Sequence, residues 1–241
     1  MKQRHVLLLL FLLIFLNGCS QQETIVKRDQ STATHANTPE LIEEKGENQT
    51  EQHIVFTLPY EQLTIDLTNI PILKEYLQWV DDPKMAVEKM NMIPIDFEDK
   101  NIYLLEFSCQ KDLCSYLLLD EGSKQQSYLL ADMAKFVQSH SSPDDQKILL
   151  QFDRKDKFSL PLSHLVVIDA KRWKPMALKP DEDSTNKNIL SYHWPILNVI
   201  WQDHETISAF IPHLRTLTHD NIEQWRSSGE KTTEIIFQIE K

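Results

Sequence analysis

Glycine is almost missing from this chain, with four residues in 241. That scarcity disfavours the glycine-rich loops that cradle phosphate, and neither G-x-G-x-x-G nor the P-loop pattern occurs. The G-x-S-x-G nucleophile turn is also missing. No histidine pair has the H-x3-H or H-E-x-x-H spacing of a zinc site on one helix. Positive charge is short too. Lys and Arg total 25 against 36 Asp and Glu, a formal charge of -11. An acidic exterior argues against nucleic acid and against a polybasic grip on anionic lipid. Aromatic and branched residues are plentiful, so the chain has the material for a real core.

Long apolar runs are confined to the start. Lys2 and Arg4 precede an unbroken apolar stretch from Val6 to Leu16, followed by small or polar residues. This is the order of a secretory leader. As a helix the stretch reaches only about 16 Å, against a hydrocarbon core of about 30 Å, so it does not read as a spanning segment. The boundary, Leu16-Asn17-Gly18-Cys19, resembles the lipobox of bacterial lipoproteins. The resemblance implies that residues 1–18 are a signal peptide and that Cys19 receives a diacylglycerol thioether and becomes the first residue. It departs from the usual pattern in Asn17, where a small or apolar residue is commonest. The expected location is extracytoplasmic and membrane-anchored, at the cell membrane or, in a two-membrane host, the outer membrane. Stable anchoring takes two or more acyl chains, at about 0.8 kcal/mol per buried methylene. The other reading is an ordinary signal peptide with a chance cysteine.

Assigning Cys19 to lipid leaves Cys109 and Cys114 as a pair outside the reducing cytoplasm. Residues 19–52 are rich in Gln, Thr, Glu and Asn and have little to bury, which predicts an acidic, disordered tether. A single folded domain is expected over 53–241. It opens with a strand at Ile54–Leu58 and a helical segment in which Ile72, Leu73, Tyr76, Leu77 and Val80 share one face. Asn69 or Thr68 is a candidate cap, with Pro71 in the first turn. Asp82-Pro83 reads as the start of a second helix carrying Met85, Ala86, Val87 and Met90.

Tyr103, Leu105, Phe107 and Cys109 alternate on one strand; Cys114, Tyr116 and Leu118 alternate on the next. A four-residue loop, Gln110 to Leu113, would set Cys109 opposite Cys114, Phe107 opposite Tyr116 and Leu105 opposite Leu118. That register brings the sulfurs within disulfide reach. The C-x4-C spacing favours a structural bond over a redox motif. Short strands then recur at Ser127–Ala131, Lys147–Phe152, His164–Asp169, Lys174–Leu178, Pro195–Trp201, Thr206–Ile211 and Thr233–Ile239, with a polar loop at 180–188. The fold expected is mainly β with a short helical segment toward the N-terminus (α+β). Its strands form an antiparallel meander, in a sandwich, barrel or propeller.

Ser142-Pro143-Asp144-Asp145-Gln146-Lys147-Ile148-Leu149-Leu150, followed by His164 to Asp169, resembles a blade of the Tol-system periplasmic propeller repeat. There a Ser-Pro-Asp turn leads into a strand, and the following strand ends in an apolar-Asp pair. Glu98 to Ile102 and Asp203 to Ile207 repeat an acidic turn four residues before an isoleucine. The resemblance spans about 98–215 and implies a divergent or incomplete propeller; Asp145 stands where that family has glycine. An unrelated β-meander is the alternative.

Chemistry is harder to find. His193, His204, His213 and His219 lie late in the chain and read as surface or partly buried residues. Asp81-Asp82, Asp144-Asp145 and Asp181-Glu182-Asp183 sit where caps and turns are expected. Trp173, Trp194, Trp201 and Trp225 fall in the β-rich half, and Trp201 reads as core. No catalytic, metal or cofactor residue is assigned. Two function classes follow: a lipid-anchored, non-catalytic binding or assembly module with an envelope protein as partner, or an anchored hydrolase acting on envelope polymer.

Overall fold

The computed structural model describes residues 25–29, 38–45, 50–97, 101–120, 127–155, 160–181 and 189–240. The leader and Cys19 lie outside the described residues. No helix among the described residues is long and apolar enough to cross a membrane.

Strands β1 (Ile25–Asp29), β2 (Glu40–Lys45), β3 (Thr50–Thr57) and β4 (Glu61–Asp66) make the first antiparallel sheet, in the order β1-β4-β3-β2. The expected domain start, His53, therefore falls inside β3, and β1 and β2 lie in the stretch read as a tether. A 3-10 turn at Leu67–Asn69 is capped by Asp66, whose carboxylate accepts from the Thr68 N–H at 2.8 Å. Helices α1 (Pro71–Trp79) and α2 (Pro83–Glu88) follow, set between the first sheet and the next. In α1 the N-cap is Ile70 and carries no side-chain cap, so neither Thr68 nor Asn69 takes that role; Asp66 has claimed the turn first. Asp82 does cap α2, accepting from the Met85 N–H at 3.0 Å, as its position before Pro83 predicts. Leu73 and Leu77 are buried, with Ile72, Tyr76 and Val80 packed beside them. Val87 and Met90 join the same core, while Met85 points to solvent.

A seven-stranded antiparallel sheet forms the centre. It runs β5 (Asn91–Ile95), β6 (Ile102–Gln110), β7 (Leu113–Asp120), β8 (Tyr128–Ser141), β9 (Lys147–Arg154), β10 (Leu162–Asp169) and β11 (Lys174–Met176) in chain order. The last sheet comprises β12 (Leu178–Pro180), β13 (Asn198–Trp201), β14 (Thr206–Pro212) and β15 (Thr232–Ile239), ordered β12-β15-β14-β13. Helix α3 (His219–Ser227) precedes β15. The architecture is thus mainly antiparallel β with few helices.

Strand β8 divides the central sheet. Tyr128 to Ala134 pair with β7, and Lys135 to Ser141 pair with β9. Register shifts on both sides, with Met133 at φ 47°, bend the strand out of one partnership and into the other. The chain therefore contains four successive antiparallel groups of four strands, β8 being shared. Three apolar cores separate them. The first lies between the β1–β4 sheet with its helices and one face of β6 and β7 (Tyr103, Leu105, Phe107, Leu117, Leu119). The second joins the opposite face of β6 and β7 (Ile102, Leu104, Tyr116, Leu118) to Ile148, Leu150 and Phe152 of β9. The third sets Leu149, Leu165 and Val167 against the last sheet and α3. Strands β6, β7 and β9 are buried on both faces over most of their length, and β10 is buried on one face and largely half-buried on the other, which explains their near-continuous apolar runs.

The expected hairpin register requires correction. Gln110 pairs with Leu113, so the turn is two residues, Lys111-Asp112, not four. Beyond Phe107 the register shifts by one: Phe107 faces Ser115, Glu106 faces Tyr116 and Leu105 faces Leu117. The extra residue is taken up at Ser108, which sits at φ 52°. Phe107 and Tyr116 consequently serve different cores.

The Ser-Pro-Asp segment forms the β8–β9 turn. Buried Ser142 Oγ donates to Asp144 at 2.6 Å and accepts the N–H groups of Gln146 and Lys147 at 3.3 and 3.0 Å. Asp145 adopts φ 48°, a left-handed conformation that glycine takes most readily and that aspartate tolerates. Ile102, Ile148 and Ile207 each lie on the second strand of a meander, β6, β9 and β14, and all are buried.

Candidate functional site

The residues singled out from sequence do not converge. Cys109 and Cys114 form a disulfide with Cα atoms 4.0 Å apart at the tip of the β6–β7 hairpin. The carboxylate of Glu106 lies close to the two sulfurs, but the disulfide leaves no thiolate for a metal. His193 bonds the Leu190 carbonyl, His213 bonds Thr233, and His204 lies 3.9 Å from Glu205. His219 opens α3. Trp173, Trp194 and Trp225 are buried; half-buried Trp201 packs against the third core and donates Nε1–H to the His140 carbonyl at 3.2 Å. Asp203 holds the β13–β14 turn by accepting from the Glu205 N–H at 2.7 Å. Of the acidic run 181–183, residues 182 and 183 lie outside the described residues.

A polar cluster missed by the sequence reading lies where β8 changes partners. Arg154, the last residue of β9, reaches back and donates Nη2–H to the Asp132 carbonyl at 2.6 Å. Its guanidinium lies 4.0 Å from the centroid of the Tyr192 ring, a stacked cation–π contact. Tyr192 in turn leans on the His164 ring, 5.3 Å between centroids. Ser191 and Tyr192 both have positive φ, 58° and 62°, and this tight loop presents the Ser191 N–H to His164 Nδ1 at 3.1 Å. Nδ1 is therefore the unprotonated nitrogen, and the neutral ring carries its proton on Nε2. Burial, and then the nearby Arg154 charge, hold His164 below the usual imidazole range.

Two cavities open on either side of Arg154. One, of about 370 Å³, is lined by Leu129, Leu130, Asp132, Arg154, His164 and Tyr192. The other, of about 620 Å³, has Lys135, Phe136, Asp153, Arg154, Lys155 and Leu160 among its walls. Exposed apolar residues flank them, Leu129 beside the first and Val137 beside the second. The nearby carboxylates have other partners. Asp132 accepts from Ser115 Oγ at 2.6 Å, and Asp112 pairs with Lys155 at 2.6 Å. Asp153 is pushed up by burial, against the pull of hydrogen bonds from Ser163 and Gln151. No carboxylate lies within ion-pair distance of Arg154 among the described residues. Arg154 Nε and the Tyr192 hydroxyl have no hydrogen-bond partner among them either.

No protein-family model, curated sequence or solved structure matches the chain. The cluster supplies a guanidinium, an imidazole N–H and a phenol around an apolar-walled cleft, a set suited to holding a ligand by donation and stacking. It offers little to general base catalysis, because the only unprotonated nitrogen of His164 is already occupied by Ser191.

Proposed function

We propose that this chain is a membrane-anchored, extracytoplasmic lipoprotein that acts as a non-catalytic binding module for an envelope partner. The anchor rests on the leader and on the lipobox-like residues around Cys19. The binding role rests on one observation: a half-buried arginine with no carboxylate within ion-pair distance among the described residues, lying over the Tyr192 ring at the mouth of a cleft. The domain is a divergent, open relative of the propeller architecture. Four successive antiparallel groups of four strands among the described residues, with cores between them, support that reading, as do the acidic turns leading into β9 and β14.

The test is capture from detergent-solubilised envelopes with the full chain and with Arg154→Gln. An envelope protein held by the first and lost from the second supports a binding role for the cleft. Release of fragments from envelope polymer by the purified chain overturns it in favour of a hydrolase. For the anchor, metabolic labelling with a fatty-acid analogue is expected to mark the wild type and not Cys19→Ala; equal labelling refutes the lipid assignment.

A further inference from the structure

Arg154 is a half-buried cation in an acidic protein, yet it has no ion-pair partner among the described residues. Arginine is seldom withdrawn from water unless paired, because the cost of desolvating the charge must be offset. Here 36 acidic residues are available in the chain, and the two nearest the cleft are committed elsewhere: Asp132 to Ser115, and Asp153 to Gln151 and Ser163. One of the five guanidinium N–H groups is used, on the Asp132 carbonyl. The guanidinium lies over the Tyr192 ring, and that contact together with the Asp132 carbonyl restrains it before any ligand arrives. The Tyr192 hydroxyl and the Nε2–H of His164 add two neutral donors beside them.

We propose that the smaller cavity at Arg154 is a receptor for a carboxylate group borne on an apolar substituent. Resting on the binding-module reading above, this names the chemistry of the ligand. Arg154 is the one cation that lines this cavity, His164 being neutral, and the Asp132 carboxylate, held by Ser115, lines it too; a single guanidinium in that company suits a monoanion rather than a phosphate dianion. The planar guanidinium suits the two oxygens of a carboxylate, which it holds through parallel N–H bonds. Leu129, Leu130 and the Tyr192 ring provide the apolar wall for the substituent. A volume of about 370 Å³ admits a group of modest size. Two sources share this chemistry: a free small carboxylate and the C-terminal carboxylate of a polypeptide.

The experiment follows arginine Nε–Hε resonances of the ¹⁵N-labelled full chain in detergent micelles. The Arg154 signal is identified by its loss in Arg154→Gln. The probes are hexanoate, phenyl phosphate, and an acetylated Ala-Leu-Leu peptide with a free or an amidated C-terminus. Saturable shifts of the Arg154 signal are expected with hexanoate and the free-acid peptide. Equal affinity for the two assigns the site to small carboxylates, and tighter binding of the peptide assigns it to chain termini. Arg154→Lys keeps the charge but loses the planar fork, and is expected to weaken binding roughly tenfold or more. Tyr192→Phe keeps the stacking ring and is expected to weaken it by about three- to tenfold. The proposal is overturned if the amidated peptide binds as well as the acid, if phenyl phosphate binds tighter than hexanoate, or if no carboxylate shifts the signal in a saturable way. Failure of the carboxylates alongside Arg154-dependent envelope capture would refute the ligand assignment and leave the binding role standing.

Discussion

Leu105 offers a sharp test of how the centre of the molecule is built. It lies opposite Leu117 and shares the first core with it, while Leu104 and Leu118 lie opposite each other in the second. All four are 0% exposed. Trimming one leucine to valine removes a methylene, about 0.8 kcal/mol of transfer energy, and the residual cavity brings the cost to about 1–1.5 kcal/mol. Two such losses fit within the 5–15 kcal/mol that holds a typical domain together, so double variants remain measurable. Leu105→Val with Leu117→Val empties neighbouring parts of one core, and the pair should depart from additivity by about 0.5 kcal/mol or more. Leu105→Val with Leu118→Val empties different cores and should add within about 0.3–0.5 kcal/mol. Urea unfolding reads these values as midpoint shifts at constant slope. Strong coupling of Leu105 with Leu118, and additivity with Leu117, would refute the bulge at Ser108 and restore the register that simple alternation suggests.

Further expectations concern stability. Replacing both Cys109 and Cys114 by alanine should cost about 2 kcal/mol or less, because the closed loop is short; a thermal melt that drops by far more would mean the bond does something other than restrict the unfolded chain. Ser142→Ala should cost about 1–3 kcal/mol in urea unfolding, since it strips a buried hydroxyl that serves Asp144, Gln146 and Lys147; a neutral result would show that the turn holds without it. His164 is held neutral in the fold, so its contribution is present above its unfolded value near 6.5 and lost as pH falls through the lowered folded value. His164→Gln should flatten that part of the stability–pH curve, and an unchanged slope would refute the assignment. Helix α3 should lose about 1 kcal/mol on Thr218→Ala, read by urea unfolding, because the Thr218 side chain accepts from the Asn221 N–H; no loss would mean the cap is idle.

The parts of the fold that follow period and turn chemistry were legible. Strands β9, β10, β14 and β15 were found to within two or three residues from their apolar runs. The disulfide pair was legible from spacing, but the register beyond it was not. The bulge is carried by a serine at positive φ, where glycine or asparagine would have announced it. Only the first residues of β8 were expected as a strand, because its bulges break the alternation that reveals one. Helix α3 was missed although its signals are present: Thr218 as cap, Ile222 and Trp225 three apart, and Gly229 after its end at φ 91°. In the first sheet only β3 was legible, from its Ile54–Leu58 run; β1, β2 and β4 were hidden by polar composition, since one strand face against a core needs few apolar residues. The cleft was not legible at all. Arg154, His164 and Tyr192 come from three separate stretches, and only the tertiary fold brings them together.

The position of the cleft follows from the same irregularity that hid β8. A strand that pairs with β7 over one half and β9 over the other leaves a free backbone edge on each half. The polar groups of such an edge need partners, from side chains or from water. Two side chains take that duty. The Tyr116 hydroxyl accepts the Phe136 N–H at 3.1 Å while donating to Glu106 at 2.8 Å, and Arg154 covers the Asp132 carbonyl. A carbonyl carries only a partial charge, so capping it orients the guanidinium without neutralising it. The edge cap therefore places a cation with no ion-pair partner among the described residues where it lines two cavities, an arrangement that suits an anionic ligand. The capped carbonyl accounts for where the arginine stands, and the lack of an ion pair among the described residues leaves its other donors able to bind.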